Sequence, residues 1–492
     1  MNTDTRYAHL PIIERLKLKV SCASEVYNLF KDLPYSFFLD SALAKNTLGR
    51  YSFIGAEPFL VFRSKKDRIV LDWIKRREVI KGNPFSALKG LLKQFRMDPE
   101  KRFPFPFVGG GVGYFSYDLK DFNETLPDMA TDDLGMPGCI FSFYDCILIF
   151  DHSKEEYFIA SSGFPETGRK RLYRQRARLE NLKNRIHAGI AHGGRPGSSG
   201  VVPGRDLSSS AIKLKANFTR DSFIRAIGKA KEYIKAGDIY QVNLSQRFNA
   251  KLDADPFELY KVLRSVNPAP FAAFLNFGGT KIVSASPERF LKKDGKYLET
   301  RPIKGTRPRG NNDLEDLKLK KELTLSVKDR AENLMIIDLE RNDLGRICKY
   351  GSVHVSKFMT CEKYATVFHL VSTVEGELRD GVDSIDCLVN CFPGGSITGA
   401  PKIRSMEIIE ELEPVKRGVY TGSIGYIGFN DNMDTSIAIR TIVVKGRDAY
   451  FQVGGGIVYD SDPEKEYQET LDKAKALIHA ISVIKGRSKV CR

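Results

Sequence analysis

The sequence lacks the features that mark membrane, zinc-binding and disulfide-stapled proteins. No apolar run reaches the roughly 18 residues of a membrane-spanning helix, and the first twenty residues carry six charged side chains instead of the apolar core of a leader peptide. The eight cysteines form neither a CxxC pair nor a Cys/His cluster. We therefore expect a cytoplasmic chain with reduced thiols and no membrane partner.

Nucleotide-binding motifs and internal repeats are also missing. The glycines of segment 108–114 do not have the GxGxxG spacing. Segment 394–402 begins like a phosphate-binding P-loop, but Ala400 and Pro401 stand where that motif needs Lys and then Ser or Thr. No repeat of fixed period is found, which argues against solenoids and propellers. A dinucleotide site and a nucleotide hydrolase are therefore disfavoured.

Positive charge is abundant but local. The chain has 77 Lys and Arg against 61 Asp and Glu, a net charge of +16, and eight of the basic residues fall between residues 161 and 190 against two acids. In this segment Leu172, Leu179, Leu182 and Ile186 recur at helical spacing, which predicts an amphipathic helix with a solvated basic face. The aromatic residues expected of a base-stacking surface are absent, so we expect no nucleic-acid partner.

One compositional break divides the chain. Residues 193–210 are rich in Gly, Ser and Pro, which predicts a loop or linker between an N-terminal domain, 1–192, and a C-terminal domain, 211–492. Before the break, runs 53–61, 139–150 and 157–160 are typical of strands. After it, apolar residues at helical spacing from Phe223 end at Gly237, and an alternating strand pattern follows.

The first chemically distinctive place is the lysine of Arg301-Pro-Ile-Lys-Gly-Thr306. A lysine in apolar surroundings has a lowered pKa and can act as a nucleophile or base. Glu288 precedes Lys304 by sixteen residues and could supply a matching acid. A surface lysine in a turn is an equally consistent interpretation.

The second place is a pair of helices with acidic residues. Ser326 predicts the start of a helix over 329–343 that carries Glu332, and Asp462 with Pro463 predicts the start of the last helix. In the last helix Glu466, Glu469 and Lys473 fall on one narrow face. Carboxylates that converge from two helices suit Mg²⁺. The alternative is an ordinary surface ion pair between Glu469 and Lys473.

The third place combines a charge with glycines. Arg440 interrupts the apolar run 434–444, where an unpaired guanidinium would be costly, so an anion is its natural partner. Gly454, Gly455 and Gly456 interrupt a strand pattern, which is typical where a ligand approaches the backbone. Together the three places predict a site for a small polyanion with Mg²⁺.

At these residues the sequence resembles the chorismate-utilising enzymes, a family with anthranilate synthase component I, aminodeoxychorismate synthase component I and the isochorismate and salicylate synthases. The resemblance is dense from Tyr240 to Lys473 and thinner before residue 193. It is carried by Ser286-Pro-Glu-Arg-Phe290, Pro302-Ile-Lys-Gly-Thr306, Asp338-Leu-Glu-Arg-Asn-Asp343, His369-Leu-Val-Ser-Thr373, Phe392-Pro-Gly-Gly-Ser-Ile-Thr-Gly-Ala-Pro-Lys402 and Glu469-Thr-Leu-Asp-Lys473.

The resemblance implies an α+β fold in which large antiparallel sheets pack as a β-sandwich with helices outside. It implies chorismate as substrate and Mg²⁺ as cofactor, held by Glu332 and Glu469 with Glu466 close by, while His369 lies near the reacting ring. The implied substrate-binding residues are Gly305, Thr306, Tyr420, Arg440, Gly454, Gly455, Gly456 and Lys473.

Within the family, Lys304 favours the aminodeoxychorismate synthases, because anthranilate and isochorismate members typically have Ala at this position. In that group the lysine is thought to add to ring carbon C2 as the C4 hydroxyl leaves, with Glu288 as general acid, before ammonia attacks C4 and expels the lysine. An anthranilate synthase component I that carries Lys304 is the close alternative. A non-catalytic or RNA-associated protein is the distant one.

The resemblance also implies a partner subunit. No segment resembles the Cys/His/Glu glutaminase, so ammonia is expected from a separate glutamine amidotransferase, and the basic helix 169–185 is a candidate docking surface. Segments 39–42 and 49–55 resemble the regulatory-pocket segments of the amide-forming members. Similarity to the family's tryptophan pocket at Ser41, Pro270, Phe271 and Ala272 allows a bound tryptophan, although Asp40 stands where many feedback-inhibited relatives have Glu.

Overall fold

The computed structural model describes residues 10–20, 22–42, 48–98, 101–192, 212–364 and 367–490. The predicted linker 193–210 and Cys491 lie outside the described residues, and the cysteines within them are free thiols. No helix in these ranges is long and apolar enough to cross a membrane.

Runs of consecutive strands, separated by helices, make up the described chain. Before residue 193 the strands are β1 (Ile12–Leu16), β2 (Phe37–Asp40), β3 (Tyr51–Gly55), β4 (Leu60–Lys65), β5 (Arg68–Trp73), β6 (Arg77–Lys81), β7 (Gly110–Phe115), β8 (Cys139–Tyr144), β9 (Cys146–Asp151) and β10 (Glu156–Ser161). After residue 211 they are β11 (Lys215–Ala216), β12 (Gln241–Lys251), β13 (Phe271–Phe277), β14 (Thr280–Ser286), β15 (Arg289–Asp294), β16 (Tyr297–Arg301), β17 (Ile303–Pro308), β18 (His354–Lys363), β19 (Val367–Glu377), β20 (Gly399–Ala400), β21 (Ser423–Gly428), β22 (Met433–Ile437), β23 (Thr441–Lys445) and β24 (Asp448–Ile457). The helices are α1 (Ala23–Tyr27), α2 (Pro84–Gln94), α3 (Gly168–His192), α4 (Arg220–Ala236), α5 (Pro256–Val266), α6 (Asp313–Leu325), α7 (Val327–Gly345), α8 (Ser384–Cys391), α9 (Lys402–Leu412) and α10 (Pro463–Val490).

The strands form two large antiparallel sheets. The first has the order β1-β10-β9-β3-β2-β13-β14-β23-β24-β12-β11, with β20 beside β12, and the second has the order β17-β19-β16-β15-β22-β21-β7-β8-β4-β5-β6, with β18 beside β19. The segments before and after residues 193–211 contribute to both sheets. They meet where β2 pairs with β13 and where β7 pairs with β21. The division into domains 1–192 and 211–492 stays a prediction.

The two sheets face each other across one apolar core. Phe53 of the first sheet and Tyr426 of the second lie with ring centroids 5.6 Å apart, and both belong to this core. The next residue along β3, Ile54, points to the opposite face and packs in a second core with α1, α3, α5 and α10. Because both faces of the first sheet are covered, its strands are apolar at successive positions. The predicted α+β sandwich with helices outside is confirmed.

Three apolar runs change sheet midway. Run 53–61 is divided between β3 of the first sheet and β4 of the second, and run 139–150 between β8 of the second and β9 of the first. Run 434–444 is divided between β22 and β23 in the same way. The runs 53–61 and 139–150 are extended as predicted, but each contributes two strands, because an apolar run does not reveal which of two buried sheets its residues join.

Helix starts follow the predicted capping residues. The Ser326 hydroxyl accepts from the backbone N–H of Asp329 at 3.2 Å and opens α7, and an Asp462 carboxylate oxygen accepts from the N–H of Lys465 at 3.0 Å and opens α10. Gly237 ends α4 with φ of 85°, a conformation that glycine adopts without strain. These caps fix where the carboxylates of the two site helices lie along each axis.

The basic helix α3 is only partly as predicted. Its Leu179 and Ile186 are buried, but Leu172, expected in the core stripe, is 48% exposed. Arg171 is buried, and its Nε donates to the carbonyl of Ser162 at 2.7 Å. The predicted amphipathic helix is present, but its basic face is only partly solvated, because Arg171 and Arg174 turn inward to backbone and carboxylate acceptors.

Candidate active site

The candidate site lies where strand β17 meets the ends of helices α7 and α10. β17 pairs with β19 so that Thr306 lies opposite His369, with an irregular register between Ile303 and Thr306. Gly305 has φ of 88°, and a Cβ there would lie 3.1 Å from Cβ of Asp329 in the first turn of α7. The turn of the backbone and the close approach of α7 both require glycine here.

Lys304 is a partly buried lysine surrounded by charge. Burial lowers the pKa of its amine, while the carboxylates of Glu332 and Glu288 act in the opposite direction. No carboxylate lies within 4 Å of the amine in the described part of the chain. An amine with a lowered pKa and no close ion pair is more often in the neutral form that acts as a nucleophile.

Glu288 lies in the short link between β14 and β15 and is 4% exposed. Its Oε1 accepts from the backbone N–H of Ile303 at 3.3 Å, and the hydroxyl of Ser396 also hydrogen-bonds to the carboxylate. Burial raises the pKa of Glu288, although both hydrogen bonds and the charge of Lys304 oppose that rise. A carboxyl group with a raised pKa keeps its proton more readily and has the character of a general acid.

His369 is held as a neutral imidazole. Burial and the positive charge of Arg440 lower the pKa of His369 to about 3. Its Nδ1 and the hydroxyl of Thr306 are 2.9 Å apart, and the ring meets that of Tyr364 edge to face at 5.0 Å. At neutral pH this side chain therefore offers hydrogen bonding rather than positive charge.

Carboxylates from α7 and α10 converge on one lysine. The ammonium nitrogen of Lys328 lies 3.9 Å from Oε1 of Glu332 on α7 and 3.6 Å from Oε1 of Glu466 on α10. One turn further along α10, Glu469 Oε1 lies 2.7 Å from the nitrogen of Lys473. The predicted Glu469–Lys473 pair therefore exists, and it belongs to a larger cluster of charges.

The three glycines of β24 are required for two different reasons. A Cβ on Gly454 would lie 2.6 Å from the carbonyl oxygen of Leu244, and one on Gly456 would collide with the Gln241 amide, so both face the neighbouring strand β12. A Cβ on Gly455 would instead lie 3.3 Å from Glu466 Oε2. Only Gly455 leaves space toward the charged cluster.

That space is ringed by charges from α10. The Gly455 Cβ position lies 3.7 Å from the Lys473 nitrogen and 3.8 Å from Glu469 Oε1. The same lysine nitrogen donates to the carbonyl of Gly454 at 2.8 Å. The backbone of β24 thus forms one wall of the site and fixes the lysine.

Arg440 enters the site from the link between β22 and β23, with φ of 52°. Its guanidinium donates to the carbonyl oxygen of Lys473, and burial lowers its pKa. Within the described ranges, no carboxylate lies within 4 Å of it. The buried hydroxyl of Tyr420 lies 3.0 Å from the Cβ position of Gly454. A partly buried guanidinium without a carboxylate partner is suited to an anionic ligand.

The carboxylate cluster is compatible with Mg²⁺. Across the described residues, no three His, Cys, Asp or Glu side chains come close enough to form a complete metal site. Mg²⁺, however, needs only one or two protein carboxylates and keeps several waters. The pKa of Glu332 is raised by burial and by the charges of Asp329 and Glu466 against the opposing lysines. Glu332, Glu466 and Glu469 thus offer the carboxylate donors that this ion prefers.

Two residues that were not singled out in the sequence, Ser396 and Glu340, stabilise the position of Glu288. Ser396 lies in a 3₁₀ turn, Gly395–Ile397, whose first N–H donates to Glu340 Oε1 on α7 at 3.1 Å. Burial and the charge of Asp343 raise the pKa of Glu340 to about 7. Ser396 and Glu340 both lie in segments that carry the family resemblance, but those segments do not reveal which side chains they contact.

Lys402, the last residue of that segment, ties it to the same helix. Its ammonium pairs with Asp343 of α7 and donates to the carbonyl oxygens of Cys391 and Pro393 at 3.2 and 3.0 Å. Helix α7 therefore presents Glu332 to the site and also anchors the turn that presents Ser396 to Glu288.

The predicted tryptophan-pocket residues come together elsewhere. Ala272 pairs with Asp40 across β13 and β2, and the buried Ser41 donates through its hydroxyl to the carbonyl of Tyr51 at 2.9 Å. Pro270 is buried just before β13, and Phe271 opens that strand partly buried. The Asp40 carboxylate accepts from Tyr260 Oη at 2.8 Å and is paired with Arg264. Occupation of this pocket by tryptophan stays a prediction.

Comparisons with known proteins agree on the family. The chorismate binding enzyme family profile matches residues 36–479. Anthranilate synthase component 1 of Acetivibrio thermocellus is 39% identical over 476 residues, 96% of each chain, and aminodeoxychorismate synthase component 1 of Bacillus subtilis is 40% identical over 446 residues, 90% of this chain and 91% of that one. The crystal structure of anthranilate synthase component I from Streptococcus pneumoniae superposes with a TM-score of 0.76 at 33% identity, covering 88% of this chain and 93% of that one. The chain therefore belongs to the chorismate binding enzymes and is a chorismate-utilising enzyme of the anthranilate and aminodeoxychorismate synthase component I type.

Proposed function

We propose that this chain is an aminodeoxychorismate synthase component I, which converts chorismate and ammonia to 4-amino-4-deoxychorismate and water, for para-aminobenzoate and folate synthesis. The observation that carries the proposal is Lys304, whose pKa is lowered by burial and which feels the charges of Glu288 and Glu332. If ammonia attacked chorismate directly, the protein would not need a lysine with a lowered pKa. A route through a covalent intermediate needs one as the nucleophile.

In the first half of the reaction, the neutral amine of Lys304 attacks ring carbon C2. The C2–N bond forms, both conjugated ring double bonds shift, and the C4–O bond breaks. Glu288, with its raised pKa, protonates the departing hydroxyl, which leaves as water. The resulting carboxylate of Glu288 then removes the extra proton from the alkylated lysine nitrogen, which restores the acid.

In the second half, ammonia attacks C4 and both ring double bonds shift back. The C2–N bond to Lys304 breaks, and Glu288 protonates the departing lysine nitrogen. The Glu288 carboxylate then takes the surplus proton from the new amino group, so the balance is chorismate plus ammonia to aminodeoxychorismate plus water. Each half is a displacement transmitted through the conjugated diene of the ring, and nitrogen ends where the hydroxyl was.

Charge complementarity would orient the substrate. Arg440 and Lys473 would pair with substrate carboxylates, because the partly buried guanidinium of Arg440 has no carboxylate within 4 Å in the described ranges. Gly305, Thr306, Tyr420 and the Gly454–Gly456 backbone would border the ring, and neutral His369 would hydrogen-bond beside it. Glu332 and Glu469, with Glu466, would hold Mg²⁺, which supplies positive charge to a substrate carboxylate.

Ammonia would come from a glutamine amidotransferase subunit. The relatives that this chain resembles are named as component 1, which implies a second component. The predicted docking surface on helix α3 stays a prediction, as does action in the cytoplasm.

Anthranilate synthase component I is the second candidate function. Several relatives at 36–41% identity carry that name, and the identity to the aminodeoxychorismate relative is about the same. Lys304 is the residue that favours the first proposal over the second.

Product identity tests the proposal. The purified chain is incubated with chorismate, Mg²⁺ and ammonium at mildly alkaline pH, which bypasses the amidotransferase, and the product is identified by mass and absorbance. We expect the unaltered chain to form aminodeoxychorismate and Lys304→Ala to form none. Lys318→Ala, which replaces a lysine on the outer helix α6, should still form it. Anthranilate from the unaltered chain would overturn the proposal in favour of tryptophan synthesis.

A further inference from the structure

A cavity of about 480 Å³ lies under the basic helix α3, away from the candidate active site. Gly55 at the end of β3 and Cys146 at the start of β9 form its base, and it shares no lining residue with the Lys304 site. Cavities of this volume are in the range that holds small molecules.

One wall of the cavity is a fixed ionic frame. Arg178 uses its three nitrogens: Nε lies 3.3 Å from Asp145 Oδ1, Nη1 3.3 Å from Glu57 Oε2, and Nη2 donates to the Glu57 carbonyl at 3.0 Å. Asp145 is buried and also accepts from Arg174 Nε at 2.7 Å. This frame is complete without a ligand and holds the shape of the cavity.

Beside the frame lie donors that are not used by the protein. Arg185 donates from Nη2 to Glu57 Oε1 at 2.8 Å, which leaves most of its five N–H donors available. The side-chain amides of Asn181 and Asn184 also line the cavity and have no hydrogen-bond partner in the part of the chain that the structure describes. Three donor groups on one helix thus face the same space.

The other residues that line the cavity indicate which chemical class of ligand it would bind. Phe30, Leu33 and Leu182 provide an apolar wall. The charged lining residues are Arg178 and Arg185 against Glu57, two positive charges minus one negative, which gives +1. Asp145 lies behind the lining and is balanced by Arg174. A monoanion with an apolar body therefore complements both the charge and the walls.

We propose that this cavity binds a small monocarboxylic acid with an apolar or aromatic body. The carboxylate lies on Arg185 and the amides of Asn181 and Asn184, and the body lies against the apolar wall. The site is separate from the predicted tryptophan pocket: Ser41 contacts Tyr51 at one end of β3, and Gly55 lines the cavity at the other, about 13 Å along a strand. The proposal is independent of the proposed function.

Calorimetry with phenylacetate on the full chain tests the proposal. All variants are made in an Arg440→Ala background, which weakens binding of carboxylates at the candidate active site. We expect saturable binding that Arg185→Ala weakens at least tenfold, because it removes the charged donor. Arg176→Ala, an exposed arginine on the same helix that does not line the cavity, should change the affinity less than twofold.

A second variant and a second probe separate this site from unspecific binding. Asn181→Trp fills the cavity from an exposed position, so the fold should be retained and binding lost, as checked by circular dichroism. Neutral phenylacetamide should bind at least tenfold more weakly than phenylacetate. The proposal would be overturned if phenylacetate did not bind, or if Arg185→Ala or Asn181→Trp bound it as tightly as the parent chain. It would also be overturned if phenylacetamide bound as tightly as phenylacetate.

Discussion

Lys328 on α7 lies 3.6 Å from Glu466 on α10, and this ion pair joins the two helices that carry the carboxylates of the candidate site. The same ammonium lies 3.9 Å from Glu332. Lys328 therefore places a positive charge where carboxylates from both helices converge. A divalent cation bound there has to compete with it.

Two neighbours on α7 should consequently change Mg²⁺ affinity in opposite directions. We expect Lys328→Met to strengthen Mg²⁺ binding severalfold, because a competing charge is removed, and Glu332→Gln to weaken it at least tenfold. Titration calorimetry with MgCl₂ measures both, and Asp338→Asn, an exposed carboxylate on the same helix, is the control. Weaker binding in both variants would mean that the lysine supports the metal instead of competing with it.

Gly455→Ala should damage catalysis with little effect on folding. The added methyl would lie 3.3 Å from Glu466 Oε2 and 3.7 Å from the Lys473 nitrogen, while the backbone of Gly455 has an ordinary negative or extended φ. We expect kcat/KM to fall at least tenfold and the melting temperature to change little. Gly228→Ala, in an open position of helix α4, should keep full activity and stabilise by about 0.5–1 kcal/mol. Unchanged kinetics in Gly455→Ala would show that the space beside it is not used.

Neutral His369 should make the fold sensitive to acid. Its pKa is lowered from 6.5 to about 3, so the unfolded chain takes up a proton that the folded chain refuses. The contribution of neutral His369 to the free energy of unfolding is fully present above pH 6.5. It is lost as the pH falls toward 3, at about 1.4 kcal/mol per pH unit. We expect His369→Gln to lose less stability than the unaltered chain between pH 7.5 and 5 in urea titrations. His479→Gln, on the exposed face of α10, should leave the slope unchanged.

Lys402 and Asp343 should be strongly coupled. Lys402→Met leaves the buried Asp343 carboxylate and two loop carbonyls without their donor, so we expect a loss of about 3–5 kcal/mol in the free energy of unfolding. The double variant with Asp343→Asn should recover part of that loss in a double-mutant cycle. Additive losses would indicate that the two residues stabilise different parts of the fold.

The sequence predicts the polar site better than the path of the strands. Lys304, Glu288, Arg440 and the carboxylates of α7 and α10 could be selected because charged residues in apolar or glycine-rich runs are costly and need a reason. The structure brings them to one place. Their separation along the chain gives no distance, so the central position of Lys328 was not predictable.

The missed features share a physical cause. Ser396, Glu340 and Lys402 act through hydrogen bonds between segments far apart in sequence, and no local pattern records such bonds. The change of sheet within run 139–150 is equally invisible, because both of its halves are apolar. Helix starts, in contrast, depend on neighbouring residues, and the caps at Ser326 and Asp462 were predicted.

The sharing of both sheets by the two segments of the chain has a consequence for its synthesis. A chain that has emerged only as far as residue 192 has β2 and β7 without their partners β13 and β21, so each unfinished sheet ends in an open edge of apolar strand. Those edges are closed only by β13 (Phe271–Phe277) and β21 (Ser423–Gly428), which are translated later. The first segment must therefore stay partly unfolded or protected on the ribosome, and we expect its isolated expression to give aggregates rather than a stable fragment.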